Sequence, residues 1–217
     1  MKKEYFENLA KTENGEAECT FCGGKKKIFL IGDSMREGYC PFVKEKLTDL
    51  YDVVFPDENC RNTQYVITSL RRWSGMFENL EDVAVVSFNC GHWDIAHWNR
   101  DPEPLTTISD YARNIRRIIT NLKVFFPKAE ILFFTSSCLS PAGCGEHTNP
   151  RTNEEVMAYN EAAVEVAKKE NIHVADMYDF MKDWGEECFI DYAHLTEEYC
   201  KKLGDYVTEN ICDLLNK

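Results

Sequence analysis

The sequence predicts a three-layer α/β/α sandwich built on a five-stranded parallel sheet, and three observations predict it. Five short apolar runs recur along the chain, at 27–32 (KIFLIG), 51–56 (YDVVFP), 82–89 (DVAVVSFN), 129–136 (AEILFFTS) and 172–178 (IHVADMY). Amphipathic helical stretches lie between them, and strands alternating with helices imply parallel strands covered on both faces. The chain has 217 residues, 44% of them hydrophobic, with no internal repeat, which suits a single α/β domain with a substantial core.

Each element has its own signature. The strand runs are continuous rather than alternating, as expected when both faces are buried. In the stretch 104–126, Ile108, Tyr111, Ile115, Ile118 and Leu122 form one stripe, and Pro127 follows its end. The stretch 153–170 repeats the pattern with Val156, Tyr159, Ala163 and Val166, and the last helix, 196–215, spaces Tyr199, Leu203, Val207 and Ile211 four apart. Thr196 is the expected N-cap of that helix, with Glu197 and Glu198 near the positive end of its dipole. Residues 1–24 read as an N-terminal arm and 25–217 as the domain.

Charge and cysteine usage exclude several functions. With 25 basic and 37 acidic residues the net charge is −12, which argues against nucleic acid or an anionic membrane as partner. No segment reaches the roughly 18 apolar residues of a membrane span. The first residues, MKKEYFENLA, carry no apolar run after their lysines, so a cytoplasmic location is expected. The ten cysteines then read as reduced thiols used as small apolar fillers. Cys19 and Cys22 form a C-x-x-C without a second pair at matching spacing, so neither a metal nor a cofactor is expected.

The chemistry begins where the first strand stops, at Gly32-Asp33-Ser34. Taken alone this is a turn with a helix cap. In a parallel sheet, however, ligands bind beyond the carboxyl ends of the strands, which is where Ser34 falls. Near the chain's end, Asp191 and His194 are three residues apart in a short turn before the last helix. There a carboxylate can hold the imidazole Nδ1 and leave Nε2 free to accept a proton. A serine, an aspartate and a histidine in that arrangement point to nucleophilic acyl transfer.

From about Lys25 to Asn216 the chain resembles the SGNH hydrolases, the GDSL-type esterases and lipases. The resemblance rests on IGDS at 31–34, on the Asn- and Gly-bearing segment FNCGHWD at 88–94, and on DYAH at 191–194. It implies Ser34 as nucleophile, His194 as base and Asp191 as its orienter, without cofactor. It also implies an oxyanion hole made by the backbone N–H of Ser34, a backbone N–H at Cys60 where the family has glycine, and an asparagine. Trp93 occupies the family's asparagine position in Gly91-His92-Trp93-Asp94, so Asn89 is the expected side-chain donor and Trp93 a pocket wall. Asp33, Arg36, Asn62 and Gly91 are further expected pocket residues, while His92 and His97 read as structural or surface histidines. The expected activity is hydrolysis of an acetyl or short acyl ester of a small molecule or carbohydrate. Three other readings stay open: a lysophospholipase or thioesterase of the same family, an impaired relative that only binds glycans, and a flavodoxin-like binding domain.

Overall fold

Both faces of the first strand are buried, and its neighbours explain how. The computed structural model describes residues 24–145 and 147–216, so Cys19, Cys22 and nearly all of the expected arm lie outside the described residues. In order, the elements are β1 (Lys27–Ile31), α1 (Ser34–Leu47), β2 (Asp52–Val54), α2 (Thr63–Ser74), β3 (Val83–Phe88), α3 (His92–Ile95), α4 (Ile108–Phe125), β4 (Glu130–Phe134), α5 (Asn153–Lys169), β5 (His173–Ala175), α6 (Met177–Met181) and α7 (Glu197–Leu215). The strands are all parallel, in the order β2-β1-β3-β4-β5.

Alternation along β1 divides the core in two. Ile28 and Leu30 face Tyr39 and Val43 of α1 and Leu203, Val207 and Ile211 of α7. Phe29 and Ile31 face the opposite layer, with Val66 and Leu70 of α2, Ile115 and Ile118 of α4, and Val156 and Ala163 of α5. The sandwich of helices on both faces is therefore present as expected. After β2 the chain crosses to β3 on the other side of β1, so the winding reverses between β1 and β3. That reversal opens a crevice at the carboxyl ends of the two strands.

Local details differ from the sequence expectation. Ile108 is 42% exposed, because it begins α4 before the helix reaches the sheet, and Ile119 is buried on that helix's inner face. The run at 172–178 divides: β5 ends at Ala175, and Asp176 caps α6 by accepting the Asp179 N–H. Thr196 does precede α7, but its side chain makes no capping hydrogen bond. A full capping box, Thr152 with Glu155, starts α5 instead. Among the described residues no helix is long and apolar enough to cross a membrane, and no group of three or more His, Cys, Asp or Glu could hold a metal ion.

The α1–α7 contact is close because glycines lie in it. A Cβ on Gly204 would stand 2.8 Å from the Phe42 Cβ and 3.3 Å from the Tyr39 carbonyl oxygen. Overpacking of this kind costs about 1–3 kcal/mol and outweighs the gain in helix propensity of replacing glycine. Gly204→Val should lower stability by about 2 kcal/mol in urea denaturation. An unchanged midpoint would mean that the two helices separate without cost.

Candidate active site

The residues that end β1 also place the serine. Gly32 turns the chain, and Asp33 becomes the N-cap of α1, its Oδ1 accepting the Met35 N–H at 3.1 Å. Ser34 is therefore the first residue of α1, at the carboxyl edge of the sheet. On the other side of the crevice, Asp191 organises a tight turn. Its Oδ1 accepts the N–H groups of Ala193 and His194 at 2.8 and 2.7 Å, and its Oδ2 meets His194 Nδ1 at 2.7 Å. Because an ionised carboxylate only accepts, Nδ1 carries the proton. His194 Nε2 then faces Ser34 Oγ at 2.8 Å, across 160 residues of sequence. Burial raises the Asp191 pKa, but the hydrogen bonds from the His194 ring and from two backbone N–H groups outweigh it, and the carboxyl titrates below its ordinary value. A cleft of about 210 Å³ opens beside this trio, walled by His92, Trp93, Trp98, Arg151 and Tyr192.

Residues 30–199 match the family model of the GDSL-like Lipase/Acylhydrolase family. The chain belongs to that family. The family's description names lipases and acylhydrolases. A GDSL esterase/lipase of Oryza sativa subsp. japonica is 26% identical over 194 residues, which cover 85% of this chain but 66% of that protein. Among solved structures, the lipase/acylhydrolase from Enterococcus faecalis superposes with a TM-score of 0.68 at 19% identity, covering 86% of this chain and 95% of that one. The carbohydrate acetylesterase Est24 from Sinorhizobium meliloti superposes with a TM-score of 0.66 at 14% identity, covering 88% and 100%.

Against the GDSL pattern, the structure corrects several expected positions. Asn89 does not line the cleft: its amide donates to Asp33 Oδ1 at 3.0 Å and its Oδ1 accepts from the Tyr39 hydroxyl at 3.0 Å, beneath the serine. The Cys60 N–H is already used by the Gly32 carbonyl at 3.1 Å, so it is not a free oxyanion donor, and Asn59 lines the cleft in its place. Arg36 is buried, not a substrate contact, and donates to the Glu58 carbonyl with the Cys40 and Cys60 sulfurs beside it. Asp33 is a buried cap rather than a pocket group. Asn62 caps α2, accepting the Tyr65 N–H, and lines a neighbouring groove. Gly91 starts α3 away from the cleft, where a side chain would collide with the Ser136 hydroxyl. Trp93 does form a wall, its ring tilted by 45° against Trp98 with the centres 5.0 Å apart.

Two further side chains stand at the site, Arg151, which no motif singled out, and His92, which reads from the sequence as a structural or surface histidine. Arg151 comes from the long polar loop after β4 and donates to the His92 carbonyl and the Tyr192 hydroxyl. His92 is buried behind the cleft, with Nε2 at 2.9 Å from Ser137 Oγ. Burial first, then the charges of Arg151 and His194, push its pKa down to about 3. His97 is peripheral, bonded to Glu155 and the Asp101 carbonyl.

Asn89→Ala would leave the Asp33 carboxyl and the Tyr39 hydroxyl with lost partners in a buried layer. It should cost about 2–3 kcal/mol in urea denaturation; a loss under about 0.5 kcal/mol would show that the amide does not hold the strand ends. His92 and Asp94 set opposing pH dependences. Below its ordinary value of 6.5 the unfolded chain protonates His92 and the folded chain does not, so this group lowers stability as pH falls. Asp94 is pushed up from 3.8 to about 6 by burial, despite bonds from Thr63, so its contribution grows as pH falls through about 6. Removing the histidine leaves the second effect alone. His92→Gln should therefore gain in urea midpoint between pH 6 and 4 relative to wild type; parallel pH curves would contradict a neutral buried His92.

Proposed function

We propose that this chain is a serine esterase that removes an acetyl or similarly short acyl group from a carbohydrate through an acyl-enzyme. The observation that carries the reading is the continuous chain Ser34 Oγ, His194, Asp191, with contacts of 2.8 and 2.7 Å. In this mechanism Ser34 Oγ attacks the ester carbonyl carbon while His194 Nε2 takes the hydroxyl proton. Asp191 holds the imidazole in the tautomer that can do so and stabilises the imidazolium. The same proton passes to the departing alcohol, leaving the acyl group on Ser34. A water then repeats the attack, with His194 again as base. The Ser34 N–H is in the first turn of α1, where no intrahelical acceptor exists and the helix dipole favours negative charge, and it serves the developing oxyanion.

The size and walls of the cleft support a short acyl group and a sugar. About 210 Å³ beside Ser34 suits a small acyl group. Trp93 and Trp98 also face an adjoining groove of about 510 Å³ that Asn62, Gln64 and Tyr65 line, a combination of aromatic faces and amides suited to a sugar ring. The carbohydrate acetylesterase among the structural neighbours agrees with this reading. The positions of Cys60 and Asn89 favour a second reading, a glycan-binding relative with weak catalysis.

Hydrolysis of 4-nitrophenyl acetate decides between the two. The esterase reading expects turnover that Ser34→Ala abolishes and that Asp191→Asn lowers by about 10³-fold or more in kcat. Absent turnover, with oligosaccharide binding retained, would establish the binding protein instead.

A further inference from the structure

The wall of the cleft contains a cation that makes no ion pair with a carboxylate among the described residues. Arg151 is half-buried two residues before α5, where the Thr152–Glu155 capping box fixes the backbone. Its guanidinium lies 5.2 Å from the centre of the Tyr192 ring and donates to the Tyr192 hydroxyl and the His92 carbonyl, both neutral acceptors. Its Nε is buried without a hydrogen-bond partner. Other arginines of the protein do have carboxylates: Arg72 has Glu58, Arg113 has Asp110 and Arg116 has Glu170.

Among the described residues, no acidic group near Arg151 forms an ion pair with it. Asp191 is held by His194 and by two backbone N–H groups. Asp33 has its Oδ1 on Met35 and Asn89 and its Oδ2 without a hydrogen-bond partner; burial raises its pKa against the opposing charges of Arg151 and His194, and it makes no ion pair with Arg151. Of the other described neighbours, His92, Tyr192 and the His147 ring at 4.5 Å from Tyr192 supply no anion. A partly desolvated guanidinium with two neutral acceptors keeps unused N–H groups and an unrecovered desolvation cost. Both are met by a ligand carboxylate, whose two oxygens match the planar donors of arginine. In a chain of net charge −12 such a local cation has no role in general attraction of anions, and its effect is confined to what enters the cleft.

We infer that Arg151 is a specificity-determining residue, and that the cleft selects esters bearing a carboxylate close to the scissile bond, such as acylated sugar acids. This rests on the esterase reading for its catalytic arm. The recognition itself is independent of turnover.

Matched ester pairs test it with the full-length protein. 4-Acetoxybenzoate is compared with 4-acetoxybenzamide, 3-acetoxybenzoate with its amide, and acetylated glucuronate with acetylated glucose. Wild type should prefer the anionic member by about tenfold or more in kcat/KM, the factor that one charge-assisted hydrogen bond supplies. The preference should fall to about unity in Arg151→Gln, chiefly through KM, and survive in part in Arg151→Lys. A wild-type ratio of one or less in every pair, or a preference unchanged in Arg151→Gln, overturns the proposal. Should the glutamine variant fail to fold, competitive inhibition of wild type decides: benzoate must inhibit more strongly than benzamide. Should no ester be hydrolysed, calorimetric binding of glucuronate against glucose tests Arg151 separately from the esterase reading, and equal affinities overturn it.

Discussion

One buried carboxyl group, Asp33, holds together the edge of the sheet where the strands end. Asp33 receives the Met35 N–H from its own helix and the Asn89 amide from the end of β3, while the Asn89 N–H bonds the Ile31 carbonyl at 3.0 Å. The two strands that flank the winding reversal are thereby locked at the point where they diverge. Burial raises the Asp33 pKa, and these hydrogen bonds oppose the rise without cancelling it. Ser34 follows directly, and its direction depends on this lock because the first turn of α1 begins from it.

The loops above the sheet are held by the same kind of device. Asp94 of α3 accepts both the N–H and the hydroxyl of Thr63 at the start of α2, at 2.9 and 2.6 Å. Arg151 ties the loop after β4 to the His92 carbonyl and to Tyr192, the residue next to Asp191. Segments that follow β2, β3, β4 and β5 are therefore joined by polar contacts as well as by the apolar packing of Cys60, Cys90, Ile95, Leu139 and Ala193. Polar contacts are directional, so they fix geometry at a site that must stay open to solvent. The two cores below are ordinary close-packed layers and leave the upper edge free to vary.

Legibility followed the range of the interaction. Local periodicity identified the strands and long helices, since burial on a sheet leaves a pattern within a few residues of sequence. The approach of Asp191 to His194 was likewise legible, because a carboxylate three residues before a histidine in a turn can reach only a small volume. The end of β5 was not, because an apolar run continuing into Met177 reads the same whether it is strand or a buried helix turn. Asn89 was misassigned because its amide has two possible directions from a strand end, and only the presence of Asp33 and Tyr39 beneath it selects the inward one.

The sequence by itself determined the fold class and the five strands in order, and it marked Ser34 at the end of the first strand and Asp191 three residues before His194, through residues close together and the topology of parallel sheets. Only the tertiary structure decided which groups share the cleft. Arg151 is one charge in a polar loop until the chain brings it beside Tyr192, and the Cys60 N–H looks available until the Gly32 carbonyl occupies it. Hydrogen-bonding groups are used up by whichever partner lies nearest in space, and for these residues that partner is far away along the chain.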